Sequence, residues 1–342
     1  VGSGWYENQE DGILYYNMRT KANGLLLSKN FCLGYKGINK PVGPLTLLEN
    51  TCLIANLAFS ECTGLTGELK IPNSVIHIGN IAFSGCRGLT SVTIPNSVTE
   101  IGYEAFSNCT GLTEVNISDL SAWCKIDFES NRSNPIFYAK KLKLNGAEIT
   151  NLVIPNDITQ IKGYAFYGCS GLASVAIPNS VTTIGSSAFH GCTGLTSVTI
   201  PNSVTSIGES AFYGCTGLTE LTIEDGTDTL ALSKTLFFDC PFEKLYLGRN
   251  LSYESSSYYD SPLFNKKETL KSVTIGNFVT SIGDYLFSHC DGLTSVTIPN
   301  SVTNIGKYAF YDCTGLTSVT IGNSVTTIGD WAFYWCQGLT SV

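Results

Sequence analysis

The stretch LTSVTIPNSVTSIGESAFYGCTG, residues 195–217, recurs along this chain with few changes of wording. Within it, Val198 and Ile200 are two apart and share one face of a strand. Pro201 and Asn202 then turn the chain, because proline cannot donate to a continuing ladder. Val204 and Ile207 supply two more inward anchors, and Gly208 permits a bend. Ala211, Phe212 and Cys215 sit at i, i+1 and i+4, the spacing of the inner face of one helical turn. Leu195 brings the inward set to eight side chains. One such coil cannot enclose them. Copies stacked at about 4.8 Å close the core from both sides and pair their strands in parallel.

Aligned on the residue ahead of the strand, full units begin at Leu65, Leu89, Leu112, Ile149, Leu172, Leu195, Leu218, Phe242, Leu270, Leu293 and Leu316, and seven of the eleven are 23 residues long. A degenerate unit precedes them, with Ile54, Phe59 and Cys62 in the same phase, and Leu339–Val342 opens another. The L-x-x-V-x-I strand and a period inside 20–29 residues follow leucine-rich-repeat logic. The expected fold is an α/β-type repeat solenoid, a right-handed leucine-rich-repeat stack of about 11–13 coils. Parallel strands would line its concave side, and short helical or 3-10 turns its convex side. Residues 1–49 read as an N-terminal cap or degenerate repeats. Residues 50–342 read as the solenoid, with irregular units at 112–148 and 218–269.

The bulk numbers narrow the partners. Net charge is −8, with 28 acids against 20 bases, so neither nucleic acid nor an anionic membrane is expected as a partner. No apolar run approaches the roughly 20 residues of a membrane-spanning helix. No charged-then-apolar leader opens the chain, so the expectation is a chain whose leader has been removed. Thirteen cysteines suggest disulfides, but ten of them follow a phenylalanine by three residues, once per repeat, as Cys215 follows Phe212. That is a packing position, and cysteine there behaves as a small hydrophobe. No C-x-x-C spacing occurs, so no metal and no cofactor is expected.

The wording S-V-T-I-P-N-S-V-T-x-I-G-x-x-A-F-x-x-C-x-G-L resembles the BspA-like, Treponema-type leucine-rich repeats of bacterial surface proteins, over about residues 50–342. The D-L-S-A-W-C-K-I-D-F segment at 119–128 and S-N-P-I-F-Y-A at 133–139 resemble a variant unit of the same family. The resemblance implies an extracellular or cell-surface protein, often lipid-anchored. It implies adhesion to host matrix protein or to another cell, and no catalytic residues.

A uniform ladder selects no ligand, so the exceptions matter more. Ser and Thr fill the outward strand positions, as in Ser197/Thr199, Ser272/Thr274, Ser295/Thr297 and Ser318/Thr320. They read either as solvated strand formers or as a hydroxyl-lined surface for a glycan or an extended peptide. In the 112–148 unit, Asp119 is placed to cap a short helix carrying Leu120, Trp123 and Cys124, and Asn145-Gly146 to close a tight hairpin. In the 218–269 unit, Phe264 takes the phase of a core phenylalanine, while Ser252–Asp260 reads as a protruding loop. Tyr246, Tyr253, Tyr258, Tyr259, Phe128 and Tyr138 are the candidate ligand-binding residues. If Tyr246 were exposed on its strand with Tyr253 and Tyr258 near it, sugar stacking would gain weight. Aromatics also follow the repeat phenylalanines, among them Tyr311, Tyr334 and Trp335.

Enzymatic signatures are weak. His77, His190 and His289 share no ligand spacing, no G-x-S-x-G elbow appears, and the carboxylates show no pattern. The reading is therefore a non-catalytic module binding a protein or glycan on a host or neighbouring cell. A secreted carbohydrate-binding protein is the alternative, and a glycan or peptide hydrolase a distant third.

Overall fold

The computed structural model describes residues 4–7, 13–22, 25–35, 40–233, 235–254 and 268–341. The chain is a parallel-strand β-solenoid of about 12 turns with very little helix. It divides into two compact units, residues 1–149 with 164–169, and residues 150–163 with 170–342.

Each coil has three sides. The first, the strand side, is the S-V-T-I segment. In the second unit the strands Asn151–Val153, Ser174–Ala176, Ser197–Ile200, Glu220–Ile223, Lys244–Leu247 and Ser272–Ile275 form one parallel sheet in chain order. Ser295–Ile298 and Ser318–Ile321 form a separate pair. In the first unit Thr66–Lys70, Gly88–Ile94, Glu114–Ile117 and Leu142–Leu144 do the same. The second side is a two-residue strand around the next isoleucine, such as Thr183–Ile184 against Ser206–Ile207. Sequence reasoning expected one strand per coil. The second follows the Pro201-Asn202 corner, where Ser206 faces out and Ile207 faces in.

The third side carries A-F-x-x-C. Its spacing suggested a helical turn, but the structure uses two successive β-turns. Ser210 and Gly214 lie in left-handed conformations, at φ 55° and 70°, and such residues interrupt a right-handed helix. Ala211 and Cys215 N–H groups donate back to Gly208 and Phe212 carbonyls at 3.3 and 3.2 Å. The intervening Phe212 and Gly214 N–H groups reach Leu236 and Phe238 of the next coil at 3.1 and 2.8 Å. The turn side is thus a third ladder between coils, which a helix would have prevented.

All eight predicted inward residues, from Leu195 to Cys215, are at most 6% exposed. Phe212 stacks between Phe189 and Phe237, with centroids 5.2 and 5.5 Å away. All thirteen cysteines are buried free thiols. Their repeated place has a second reason besides size. Cys215 Sγ donates to the Phe189 carbonyl of the preceding coil at 3.1 Å, and Cys313 does the same to Phe287. Burial pushes the Cys109 and Cys169 thiols up to about 12. Gly208 also has a more specific role than a bend: a Cβ there would lie 2.4 Å from Ser186 N. Glycine lets neighbouring coils approach at that corner.

The irregular unit at 112–148 forms as its local signals require. Asp119 accepts from Ala122 N at 3.0 Å and starts the helix Leu120–Cys124. Trp123 is buried, with its indole N–H on the Ala165 carbonyl at 2.9 Å. Asn145 and Gly146, both at positive φ, close a hairpin between Leu142–Leu144 and Ala147–Glu148. Ahead of the repeats, Gly4–Glu7, Ile13–Ala22 and Leu25–Tyr35 form an antiparallel meander, whose last strand joins Thr51–Ile54 in parallel.

Candidate ligand-binding face

The structure sorts the Ser and Thr residues into two populations. Many of those on the second side, and just ahead of the strand, bond from coil to coil, while the Ser180 and Ser301 hydroxyls are buried with no partner among the described residues. Thr205 and Thr303 hydroxyls donate to the Thr182 and Thr280 carbonyls at 3.3 Å, and Thr219 to Thr196. Ser203 donates to Val181 O at 2.8 Å. The outward strand-side hydroxyls behave differently. Ser197, Thr199, Thr274, Ser295, Thr297 and Thr320 are exposed or nearly so, and have no side-chain partner among the described residues. Sequence alone could not separate these groups, because both are written Ser or Thr.

The strand-side files change at three consecutive coils of the second unit. Where regular coils carry Ser197, the next two carry Glu220 and Lys244, joined at 2.7 Å. One residue earlier, Glu243 pairs with Lys271 of the following coil at 3.1 Å. Both pairs are largely exposed. In the threonine file, Tyr246 stands between Thr222 and Thr274 in register. Its hydroxyl donates to Asp225 Oδ1 of the preceding coil at 2.7 Å, and this bond holds its phenol above the usual tyrosine range. A Cβ at Gly276 would lie 2.9 Å from that hydroxyl and 2.7 Å from Asp225 Oδ1. The half-buried ring therefore lies along its strand, toward Gly248, in room left by the glycine of the next coil.

The corner beneath is rebuilt as well. Glu224-Asp225 replaces the Pro-Asn turn, and Gly248-Arg249 replaces it one coil later. Arg249 is fully buried. Its Nη2 and Nη1 donate to the Pro201 and Asn202 carbonyls, two coils back, at 2.9 and 3.0 Å. Burial lowers the Arg249 pKa, while Asp228 and Glu224 oppose the shift.

Two grooves lie on strand sides, each where neighbouring strand segments are not ladder-paired. In the second unit, Ser272–Ile275 and Ser295–Ile298 belong to different sheets. A groove of about 330 Å³ runs between them, lined by Lys271, Ser272, Thr274, Ser295, Thr297 and Pro299 among others. In the first unit, residues 44–47 flank the edge strand Thr66–Lys70, and a groove of about 360 Å³ is lined by Pro44, Leu47, Glu68, Lys70 and Thr93.

The predicted site residues are not gathered in one place. Tyr246 is on the strand side. Tyr253 is on the second side, with its hydroxyl on the Asp284 carbonyl at 2.9 Å and its phenol raised by burial. With Asn250, whose Oδ1 accepts from Thr280 and Ser281 N at 2.9 and 3.2 Å, it bridges Leu251–Ser252 to the following coil. Leu251–Ser252 and the following coil's Ser281–Ile282 belong to different sheets, so side chains supply the missing bonds. Tyr253 is thus structural rather than part of a protruding loop. Phe128 is a second correction: it is 7% exposed and packs on Trp123 at 5.2 Å, because the Asp127–Phe128 strand continues the second side inward. Tyr138 is half-buried, accepting from Asn108 N at 2.8 Å. Tyr258, Tyr259, Phe264 and Ser252–Asp260 beyond residue 254 lie outside the described residues. Sequence reading passed over Glu220, Lys244, Glu243, Lys271 and Asp225. The signal was present as E-L-T-I and K-L-Y-L where S-V-T-I was due.

The turn side bears its own aromatics. Tyr285 stacks on Tyr308 at 4.8 Å and Tyr311 on Tyr334 at 6.0 Å, and Trp331 and Trp335 are about half exposed. The histidines serve neighbouring coils: His77 pairs with Glu100, His289 with Asp312, and His190 stacks on Tyr213. Among the described residues, no group of three or more His, Cys, Asp or Glu is placed to hold a metal ion, and no helix is long and apolar enough to cross a membrane.

The sequence matches the BspA type leucine rich repeat region in six copies, over residues 39–144, 139–263 and 258–342. The chain belongs to this family. Among solved structures, a leucine-rich repeat protein from Bacteroides ovatus is 25% identical, with TM-score 0.61 over 98% of this chain and 93% of the other. A leucine rich cell surface protein from Faecalibacterium prausnitzii is 22% identical over 98% and 93% of the two chains, with TM-score 0.44. A leucine-rich repeat protein from Eubacterium ventriosum is 20% identical over 91% and 95%, with TM-score 0.43. No curated protein matches. Membership in the BspA-type family accounts for the repeat sentence. The charged and aromatic residues at 220–246 depart from the repeat as the rest of this chain writes it.

Proposed function

We propose that this BspA-type repeat protein is a non-catalytic binding module, displayed outside the cell or on its surface, that holds a host or neighbouring-cell ligand on its strand side. The observation that carries the reading is the division of hydroxyls. On the other sides many hydroxyls donate to carbonyls of the preceding coil, whereas on the strand side Ser197, Thr199, Thr274, Ser295, Thr297 and Thr320 leave theirs to solvent. Strand-side substitutions also cost the fold little, because these side chains point away from the core. Ligand-directed change can therefore accumulate there. The antiparallel meander at the N-terminus serves as a cap that keeps the first coil from exposing its core.

The test is an array of matrix proteins, mucins and glycans, probed with the chain, with a Thr274→Ala/Ser295→Ala/Thr297→Ala variant, and with a turn-side Tyr308→Ala/Tyr311→Ala variant. Binding should fall for the first variant and persist for the second. The opposite pattern would place the site on the turns. Protease treatment of intact cells tests display: loss of the protein from unlysed cells is expected, and full protection would contradict it.

A further inference from the structure

We infer that the strand side of the second unit carries a site for a neutral glycan, centred on Tyr246 and extending into the groove beside Thr274 and Thr297. The inference rests on the strand-side reading above and names the ligand chemistry for it.

Tyr246 is the one aromatic ring in a file otherwise filled, from Thr199 to Thr320, by threonine. It is not packing there, since Leu245 and Leu247 on either side of it do the packing, at 3% and 1% exposure. Its position is set by the Asp225 bond and by the space at Gly276. A ring lying along a sheet, held at its hydroxyl, offers one broad apolar side to solvent at little entropic cost on binding.

The surroundings decide what can lie on that ring. The apolar residues of the groove, Val273, Ile275 and Val296, are 8%, 7% and 3% exposed, so an apolar peptide side chain finds no pocket. What the groove presents is hydroxyl, from Ser272, Thr274, Ser295 and Thr297. Among the described residues an anionic chain finds no free cation there, because Lys244 and Lys271 are each matched to a carboxylate, Glu220 and Glu243. A pyranose meets both demands. Its C–H face is apolar and suits Tyr246. Its rim of hydroxyls both donates and accepts, as do the threonine and serine files, and each carboxylate–ammonium pair beside the ring can accept one hydrogen bond from a sugar hydroxyl and donate one to another. A volume of about 330 Å³ is at the lower end for a ligand groove and suits a short run of sugar units.

The experiment is calorimetric titration of the whole chain with unbranched hexasaccharides: cello-, xylo-, manno- and laminari-hexaose, with a heparin hexasaccharide as the anionic probe. At least one neutral probe should bind, and heparin should not. Tyr246→Ala should weaken binding about tenfold or more, whereas Tyr246→Phe, which keeps the ring, should lose only a few-fold. Trp335→Ala, on the turn side, should change nothing. Melting curves of each variant check that the fold persists. Failure of every neutral probe, or equal affinity of Tyr246→Ala and wild type, overturns the glycan site. Matrix-protein binding that falls with Thr274→Ala/Ser295→Ala/Thr297→Ala, without glycan binding, would overturn it while keeping the strand side as the binding face. Absence of both kinds of binding overturns both.

Discussion

The coils at 172–217 and the stretch at 218–276 lie in the same unit and share one register, yet they differ in which side of the wall has changed. Inward, they are almost interchangeable: Leu195, Val198 and Ile200 are matched by Phe242, Leu245 and Leu247, all at most 3% exposed. Outward, Ser197 and Thr199 give way to Lys244 and Tyr246, and the Pro201-Asn202 corner gives way to Gly248-Arg249. Packing between coils constrains one set tightly, because each inward residue touches copies above and below it. The other set faces solvent and is free to vary, so departures there carry more information about a ligand than the repeat itself does.

The largest expected effect probes the shared interior. Thiols such as Cys109 and Cys169 titrate near 12 in the folded chain, against an ordinary value of 9.0. The unfolded chain therefore gives up these protons first as pH rises. Stability should be complete below pH 9 and fall steadily toward pH 12, by as much as ~4 kcal/mol for each such thiol. Urea unfolding across that range measures it, and a flat profile would mean the thiols are not buried as described. Next, Phe212→Ala in the regular wall should cost ~3–5 kcal/mol through the cavity it opens. Equal melting of variant and wild type would undo the inward assignment.

The rebuilt corner is tested by Arg249→Ala, which strips the Pro201 and Asn202 carbonyls of their donors and should cost about 2–3 kcal/mol. Arg249→Lys should recover only part of this, since one ammonium lacks the planar fork that serves both carbonyls. The contrast between the two hydroxyl populations predicts a smaller difference. Thr205→Val should cost ~0.5–1 kcal/mol by losing its bond to Thr182, while Thr199→Val should leave denaturant unfolding within ~0.5 kcal/mol of wild type. Smallest of all, Asp225→Asn should lower the Tyr246 phenol toward its ordinary value, read by ultraviolet titration, with little change in stability. An unmoved titration would mean that the bond does not hold the ring.

Much of the fold was legible because the interior speaks in periods. Val198 and Ile200 two apart, Phe212 and Cys215 three apart, and a 23-residue return leave few other arrangements. The turn side was less legible. Spacing alone cannot tell a helical turn from two β-turns, since both put Ala211, Phe212 and Cys215 on one face, and Ser210 does not advertise its left-handed backbone. The candidate site was only partly legible. Tyr246 stood out as an aromatic in the irregular stretch, but Tyr253 and Phe128 did too, and only packing distinguishes a ring that fills a gap from one that faces outward. The ion pairs at Glu220 and Glu243 follow from the unit starts at Leu218, Phe242 and Leu270, but spacing alone does not say which outward charges of neighbouring coils meet.

The hydrogen bonds on all three sides of a coil run from one coil to the next, along the direction of stacking. A tensile load along that direction passes through every interface in series, and the weakest yields first. Under pulling from a terminus, each unit should peel coil by coil, and each release of 23 residues should pay out about 80 Å of chain. A binding face built this way is also an extensible tether: it yields in steps under shear, and the coils not yet peeled keep their ligand-facing rows in order.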